Sequence, residues 1–382
     1  MSNFIIFSAN YLPHLGGVER YTYNMARKMA DIGHKITIIT SDVSCDIKYE
    51  KDGNIEVYRL PSYKVLGERF PVLKINKNLL LILEDIFNKN FDFGIINTRF
   101  YLLSAFAAYI LKKKNIPSIL IEHGTYHFTV NNVLLDFFGH IYEHLITKFI
   151  KRHVSRYAGV SLACNQWLKH FKIKTSIVFY NAIDLKNIEI IKNSSHISLK
   201  KELSIPEDGI IITYSGRLVK EKGIEKLIAA VNSLNNKNIY LVIAGDGDLL
   251  NQIQERNYKN VFTLGKINFP NVIRLLSDTD IFCLPTDYPE GLPTSVLEAA
   301  ACKCYIITTN AGGSAEVILD SSYGCILANN TPSEIANAIS EAIQDRTLCN
   351  ACAEKAYDRV INEFEWSTVT QKILSYIKRE TN

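Results

Sequence analysis

The chain has 382 residues, 47% of them hydrophobic, and a formal net charge of +4. That length fits two α/β domains with ample buried core. It holds no apolar run long enough to span a membrane, since Leu79-Leu80-Leu81-Ile82-Leu83 stops at Glu84-Asp85, and a charge this modest without a recognised nucleic-acid motif speaks against a nucleic-acid partner.

Asn3-Phe4-Ile5-Ile6-Phe7-Ser8 reads as a buried strand, with no basic n-region or small-residue cleavage site, so the expectation is a cytoplasmic protein. A loop, Asn10 to Gly17, leads into a helix on which Val18, Tyr21, Met25, Met29 and Ile32 recur at helical spacing, and Gly33 ends it. Lys35–Thr40 is the second strand. Ile55–Leu60, Phe93–Asn97, Ser118–Glu122 and Ser176–Phe179 are further strands, with helical patterns between them. Tyr180 to Asp184 marks the switch to a second domain, and polar Asn187–Ser198 reads as a linker. A second alternating series follows, with strands at Ile210–Ser215, Ile239–Ala244, Val261–Leu264, Asp280–Leu284 and Tyr305–Thr308. Helices between them predict a parallel sheet with right-handed crossovers. Trp366–Lys378 reads as an amphipathic helix.

The charge is unevenly placed. Residues 1–180 hold 23 Lys/Arg against 14 Asp/Glu, and the remainder 20 against 25. Lys148, Lys151, Arg152, Arg156, Lys169, Lys172 and Lys174 form the densest basic stretch. It suits an anionic membrane surface or a lipid-diphosphate acceptor; a solvated helix face accounts for it equally well. Cys283, Cys304 and Cys325 lie in apolar segments and read as small core residues. Cys349 and Cys352 have redox spacing but fall in a helical pattern without metal-ligand companions.

The chemistry concentrates in three segments. Pro289-Glu290-Gly291-Leu292-Pro293-Thr294-Ser295-Val296-Leu297-Glu298 follows an apolar strand, and Pro293 suits the first position of a helix. Glu290 then lies on a loop and Glu298 on the helix, about 7.5 Å of helical rise beyond Pro293. Both carboxylates are expected to face one crevice, with helix N–H groups suited to a phosphate between them. Gly216-Arg217-Leu218-Val219-Lys220-Glu221-Lys222-Gly223 places a planar guanidinium fork, Arg217, and a point charge, Lys222, near a second helix start. Gly16 and Gly17 open the first helix and allow close backbone approach to a phosphate. Glu19 is read as a first-turn residue outside the site. An ordinary loop followed by a solvated helix, or a turn with exposed charges, would give the same residues without a site.

These segments resemble family 4 of the retaining glycosyltransferases, whose signature is E-x7-E and whose diphosphate-binding stretch reads G-R-x4-K-G. The resemblance implies the GT-B fold, an α/β architecture of two Rossmann-like domains facing each other across a cleft, with a C-terminal helix crossing back to the first. The expected division is 1–180 for an acceptor-binding domain, 181–362 for a nucleotide-sugar-binding domain and 363–382 for the crossover helix. Glu290 is implied to touch the transferred sugar and Glu298 the ribose. His123, in Ile121-Glu122-His123-Gly124-Thr125, aligns with a histidine beside that sugar, and Glu122 reads as a strand-end hydrogen-bond acceptor. Arg217 and Lys222 complete the catalytic set. Gly16, Gly17, Gly245, Ile267, Gly291, Leu292, Pro293 and Thr294 complete the donor site, with Gly245 and Ile267 shaping the base pocket.

The reaction implied is transfer of a hexosyl or N-acetylhexosaminyl group from an NDP-sugar, most often a UDP-sugar, with retention and without metal or other cofactor. The acceptor implied is a saccharide, lipid-linked in bacterial surface polysaccharide (O-antigen type) assembly, which places the enzyme at the inner face of the cytoplasmic membrane. A nucleotide-sugar epimerase and a non-catalytic carbohydrate- or membrane-binding module are the competing readings.

Overall fold

The structure is a computed structural model that describes residues 1–14, 16–130, 132–194 and 198–381. It divides into two compact units: Met1–Asn181 with Trp366–Asn382, and Ala182–Glu365.

The first unit is built on a seven-stranded sheet. In chain order its strands are β1 (Asn3–Phe7), β2 (Lys35–Ser41), β3 (Tyr49–Asp52) and β4 (Ile55–Leu60), then β7 (Phe93–Asn97), β8 (Ser118–Glu122) and β9 (Arg156–Gly159); a separate ribbon of β5 (Ser62–Tyr63) and β6 (Val72–Leu73) lies between the two groups. The sheet order is β3-β4-β2-β1-β7-β8-β9, parallel except for the β3–β4 pair. Ile5, Ile6 and Phe7 are buried, as are Ile95, Ile96 and Ile119–Ile121. Helices cover both faces of such a sheet, which is why these strands read as continuous apolar runs. The chain reverses its direction of travel across the sheet at β1, so the loops after β1 and β7 flank the switch point where ligands bind in open α/β sheets.

Helix Gly17–Asp31 buries Tyr21, Met25 and Met29, while Ile32, expected on the same stripe, is its exposed C-cap. Gly33 follows with φ +94°. Helix Trp366–Thr381 buries Trp366, Val369, Ile373 and Ile377, a single stripe, and returns the chain to the first unit. Trp366 meets Tyr21 edge-on with centroids 5.0 Å apart.

The second unit carries a six-stranded parallel sheet of β10 (Ile210–Ser215), β11 (Ile239–Ala244), β12 (Val261–Gly265), β13 (Ile281–Leu284), β14 (Tyr305–Thr309) and β15 (Cys325–Leu327), in the order β12-β11-β10-β13-β14-β15. Its switch point lies at β10, between the loops that follow β10 and β13.

Three sequence expectations change. Ser176–Phe179 is not a strand; only a bridge of Val178 to Gly159 forms there, and the edge position belongs to β9, too short and polar at its start to stand out. Residues Leu185–Lys192, which run into the expected linker, form a helix capped by Asp184, which accepts from the Asn187 N–H at 3.2 Å. Two buried residues, Ile188 and Ile191, suffice to seat it on helix Phe269–Ser277. The linker's residues 195–197 lie outside the described residues. Pro293 is the N-cap, and the helix runs Thr294–Ala301. With ψ at 117°, Pro293 is still extended, one position earlier than a first helical residue.

All eight cysteines are free thiols, and Cys283, Cys304, Cys349 and Cys352 are buried. Burial raises the Cys349 and Cys352 thiols, so their spacing reflects helix packing.

Candidate active site

In the second unit the loops after β10 and β13 meet through main-chain contacts. The Asp287 N–H donates to the Glu221 carbonyl at 2.8 Å, and the Thr286 hydroxyl donates to the same carbonyl at 3.4 Å. Gly223 makes this approach available: its φ is +76°, and a Cβ there would lie 2.0 Å from the Pro285 carbonyl oxygen. Only glycine accepts both constraints at low cost. The result brings Arg217, Lys222 and Glu290 together. Lys222 is buried in the turn Lys220–Lys222, and its Nζ is in direct contact with Glu290 Oε1. The Tyr288 ring meets both cations, with Arg217 Cζ 4.8 Å and Lys222 Nζ 5.1 Å from its centroid. Arg217 itself is exposed, its carbonyl accepting from Tyr214 Oη at 2.8 Å.

Burial, and after it the Arg217 charge, push the Lys222 ammonium down to about 7. The Glu290 carboxylate touching it acts in the opposite direction. An ion pair with little water around it is held by mutual neutralisation, and an incoming anion can take over one partner.

Glu290 sits on the loop and Glu298 on the helix, as the spacing predicts. Glu298 is buried at 6% exposure, beside Val296, Leu297 and the alanines that seat the helix. Gly291 anchors the loop, its carbonyl accepting from the Gly313 N–H at 2.9 Å, and Leu292 is buried. Gly312 permits that approach, because a Cβ there would lie 1.9 Å from the Glu290 carbonyl oxygen. Thr294 opens a helix without a side-chain cap, so its first-turn N–H groups are aligned donors at the end of the loop. Gly245 donates to the Gly265 carbonyl at 2.8 Å, joining the β11 and β12 loops. Ile267 packs partly against the cluster of Leu199, Ile205, Val242 and Ala244, so its side chain supports the wall.

In the first unit, Gly16 is the N-cap of helix Gly17–Asp31. Glu19 lies in the first turn as expected, but it is buried and folds over Gly16: a Cβ on that glycine would be 2.3 Å from Glu19 Oε2. His14 Nδ1 is 3.3 Å from Glu19 Oε1, and Gly17 has open space beside it. His123 follows β8. Its Nε2 lies 3.1 Å from Asn97 Oδ1, and its ring meets Tyr21 edge-on at 4.7 Å. The Asn97 amide donates to Thr22 Oγ1 at 2.8 Å, which turns Oδ1 toward the imidazole. His123 therefore carries its proton on Nε2 and keeps a lone pair on Nδ1. Burial pushes its pKa down to about 3, so the ring is neutral across the physiological range. Glu122 is the strand-end acceptor expected: its Oε1 takes the N–H groups of His123 and Gly124, both at 3.1 Å. Behind it, Arg99 pairs with Glu122 at 3.1 Å and with Glu143 at 2.9 Å, all three 1% exposed.

Two residues with a place here carried no sequence signal. Tyr288 is a lone aromatic in a loop, outside every motif. Arg99 lies far in sequence from both its partners. A surface cavity of the first unit, lined by Asn3, Lys35, Thr37, Lys51 and Lys89, lies at the amino ends of β1 and β2, the end opposite His123.

The family model of group 1 glycosyl transferases matches residues 195–359, and that of glycosyltransferase family 4 matches residues 15–187. An uncharacterized glycosyltransferase of Methanocaldococcus jannaschii is 26% identical, covering 99% of this chain and 98% of that protein. The GPI3 subunit of phosphatidylinositol N-acetylglucosaminyltransferase from Saccharomyces cerevisiae is 24% identical over 95% of this chain and 79% of its own length. Among solved structures, Anabaena HepE in complex with UDP and glucose superposes with a TM-score of 0.73 at 16% identity, covering 99% of this chain and 100% of that one. WaaG, a glycosyltransferase involved in lipopolysaccharide biosynthesis, does so with a TM-score of 0.67 at 15% identity, covering 98% and 99%.

Proposed function

We propose that this chain, a family 4-like glycosyltransferase with the GT-B fold, moves a hexosyl or N-acetylhexosaminyl group from an NDP-sugar to a lipid-borne saccharide, with retention of configuration. The observation that carries the reading is the buried Lys222–Glu290 contact with Arg217 and Tyr288 around it, at the switch point of the second sheet. A donor diphosphate takes over Lys222 and Arg217, and Glu290 is released toward the sugar hydroxyls. The two cations and the first-turn N–H groups from Thr294 then stabilise the departing nucleoside diphosphate without a metal, as electrostatic preorganisation. Glu298 holds the ribose, Gly245 and Ile267 border the base, and the neutral His123 accepts a sugar hydroxyl at Nδ1. Gly16 and Gly17 serve the phosphate side once Glu19 swings away. The leaving phosphate oxygen deprotonates the acceptor on the same face, which accounts for retention. UDP is the favoured nucleotide, as in the HepE complex.

The acceptor reading rests on the first unit. Helix Val133–Ile150 exposes Val133, Leu134, Phe137, Phe138, Ile141 and Leu145 along one face, while Glu143, Ile146, Thr147 and Ile150 are buried. Lys148 in its last turn and Lys151 and Arg152 just after it are all exposed. An apolar face with a basic border fits a membrane surface carrying a lipid-linked acceptor. Among the described residues no helix is long and apolar enough to cross a membrane. The yeast relative, named for a phosphatidylinositol acceptor, and WaaG, named for lipopolysaccharide, both suggest lipid-borne substrates. We assign the chain to surface polysaccharide assembly, at the inner face of the cytoplasmic membrane.

Calorimetry against UDP-, GDP- and ADP-sugars, followed by nucleotide release with lipid-linked saccharides, tests the reading. One donor should bind and turn over only with acceptor, in EDTA, and product NMR should show the donor's anomeric configuration. Conversion of donor alone would favour the epimerase, and binding without turnover the non-catalytic module.

A further inference from the structure

Four of the nine histidines cluster beneath the loop that follows β8. His127 stacks on His140 at 4.0 Å, and His144 and His170 lie 5.0 Å apart between ring centroids. One ring nitrogen from each of His127, His144 and His170 lies within 4.8 Å of the others. His144 Nε2 and His170 Nε2 are 3.2 Å apart. Two nitrogens bound tetrahedrally at about 2.05 Å would be separated by about 3.3 Å. His127 has its Nδ1 3.1 Å from Glu143 Oε2, which leaves Nε2 to face a ligand. Glu143 is itself fixed, by Arg99 Nη2 at 2.9 Å and by the Phe128 N–H at 2.6 Å. A carboxylate on the far nitrogen of an imidazole is the arrangement that orients a metal-bound histidine. Trp167 stacks on His170 with planes 6° apart and sets the angle of that ring.

We propose that His127, His144 and His170 form a binding site for one late first-row divalent cation of the zinc type, with water as the fourth ligand. Imidazole donors select zinc, nickel or copper over magnesium and calcium. The three ligands come from the loop after β8, helix Val133–Ile150 and the turn Lys169–Phe171, so the ion fastens three segments to one another. Through Glu143, Arg99 and Glu122 the same fastening reaches the His123–Gly124 turn. The site takes no part in the proposed sugar transfer and does not depend on it.

The test uses untagged full-length protein stripped with a chelator and titrated with zinc chloride by calorimetry, alongside thermal unfolding. Expected are one ion per chain, a midpoint raised by several degrees, no such rise with magnesium, and an X-ray absorption spectrum showing three imidazoles. Both zinc effects should vanish in a His144→Gln/His170→Gln variant and persist in His153→Gln. Absence of saturable binding, or binding unchanged in the double variant, overturns the proposal. Should the double variant fail to fold, the absorption spectrum of the parent decides, and a shell with fewer than two imidazoles overturns it.

Discussion

Glu290 and Lys222 neutralise each other where neither is well solvated, and this makes each a probe of the other. In Glu290→Gln, Lys222 keeps the burial and the Arg217 repulsion but loses its counter-charge. Burial and Arg217 already hold its folded pKa at about 7 in the parent, below the ordinary value near 10.5, and loss of the carboxylate lowers it further. Between its folded value and the ordinary one the unfolded chain binds more protons, so stability rises with pH. Thermal melts of Glu290→Gln should therefore gain midpoint relative to the parent as pH rises toward and through 7. Turnover of Glu290→Gln, Lys222→Ala and Arg217→Ala should fall by about 10²-fold or more with circular dichroism unchanged. Tyr288 supports two cations, so Tyr288→Leu should weaken donor binding by up to about 30-fold in calorimetry, while Tyr288→Phe keeps most of it. Glu290, Arg217 and Lys222 were legible because glycines and a proline fix their places beside strand ends. Tyr288 was not, since its role depends on two loops meeting.

At the scale of elements, strands buried on both faces announced themselves as apolar runs; Ile55–Leu60, Phe93–Asn97 and Ile210–Ser215 have the predicted bounds. Edge strands such as β9 and β15 are short and partly exposed, and helix Leu185–Lys192 needs only two apolar residues, so pattern alone passes over them. Helix Val133–Ile150 was hidden for the opposite reason: it is apolar on most of its circumference, and only packing reveals which side is covered. Phe137→Ser/Phe138→Ser should reduce sedimentation with anionic phospholipid vesicles at least several-fold and leave donor binding unchanged. The turn after β8 predicts a pH signature. His123 is neutral in the folded state down to about pH 3, whereas the unfolded chain protonates it near 6.5. Stability therefore falls as pH drops through that window, by at most about 1.4 kcal/mol per pH unit for one proton. Denaturant titrations of His123→Gln should show a shallower acid slope than the parent.

For the molecule as a whole, the parallel sheet of the second unit and most strands of the first followed from the alternation of strands and helices, whereas the strand orders that set the switch points did not. The buried charges that stiffen the first unit did not either, because Arg99, Glu122 and Glu143 come from three separate segments. Removing Arg99 leaves two carboxylates buried without their common partner, beneath the Phe171 ring that the guanidinium covers at 3.6 Å. Arg99→Met should cost about 3–5 kcal/mol in chemical denaturation, and neutralising both glutamates in the same chain should recover part of it.

The helix Trp366–Thr381 belongs to the unit that the chain began, with the whole of Ala182–Glu365 in between. During translation the first unit stays incomplete, with the Tyr21 side that Trp366 covers still open, until the helix Trp366–Thr381 leaves the ribosome. The second unit is contiguous and is free to fold as soon as it emerges. The second unit is thus complete before the first, and a stop codon upstream of Trp366 strips the first unit of the side chain that packs on Tyr21.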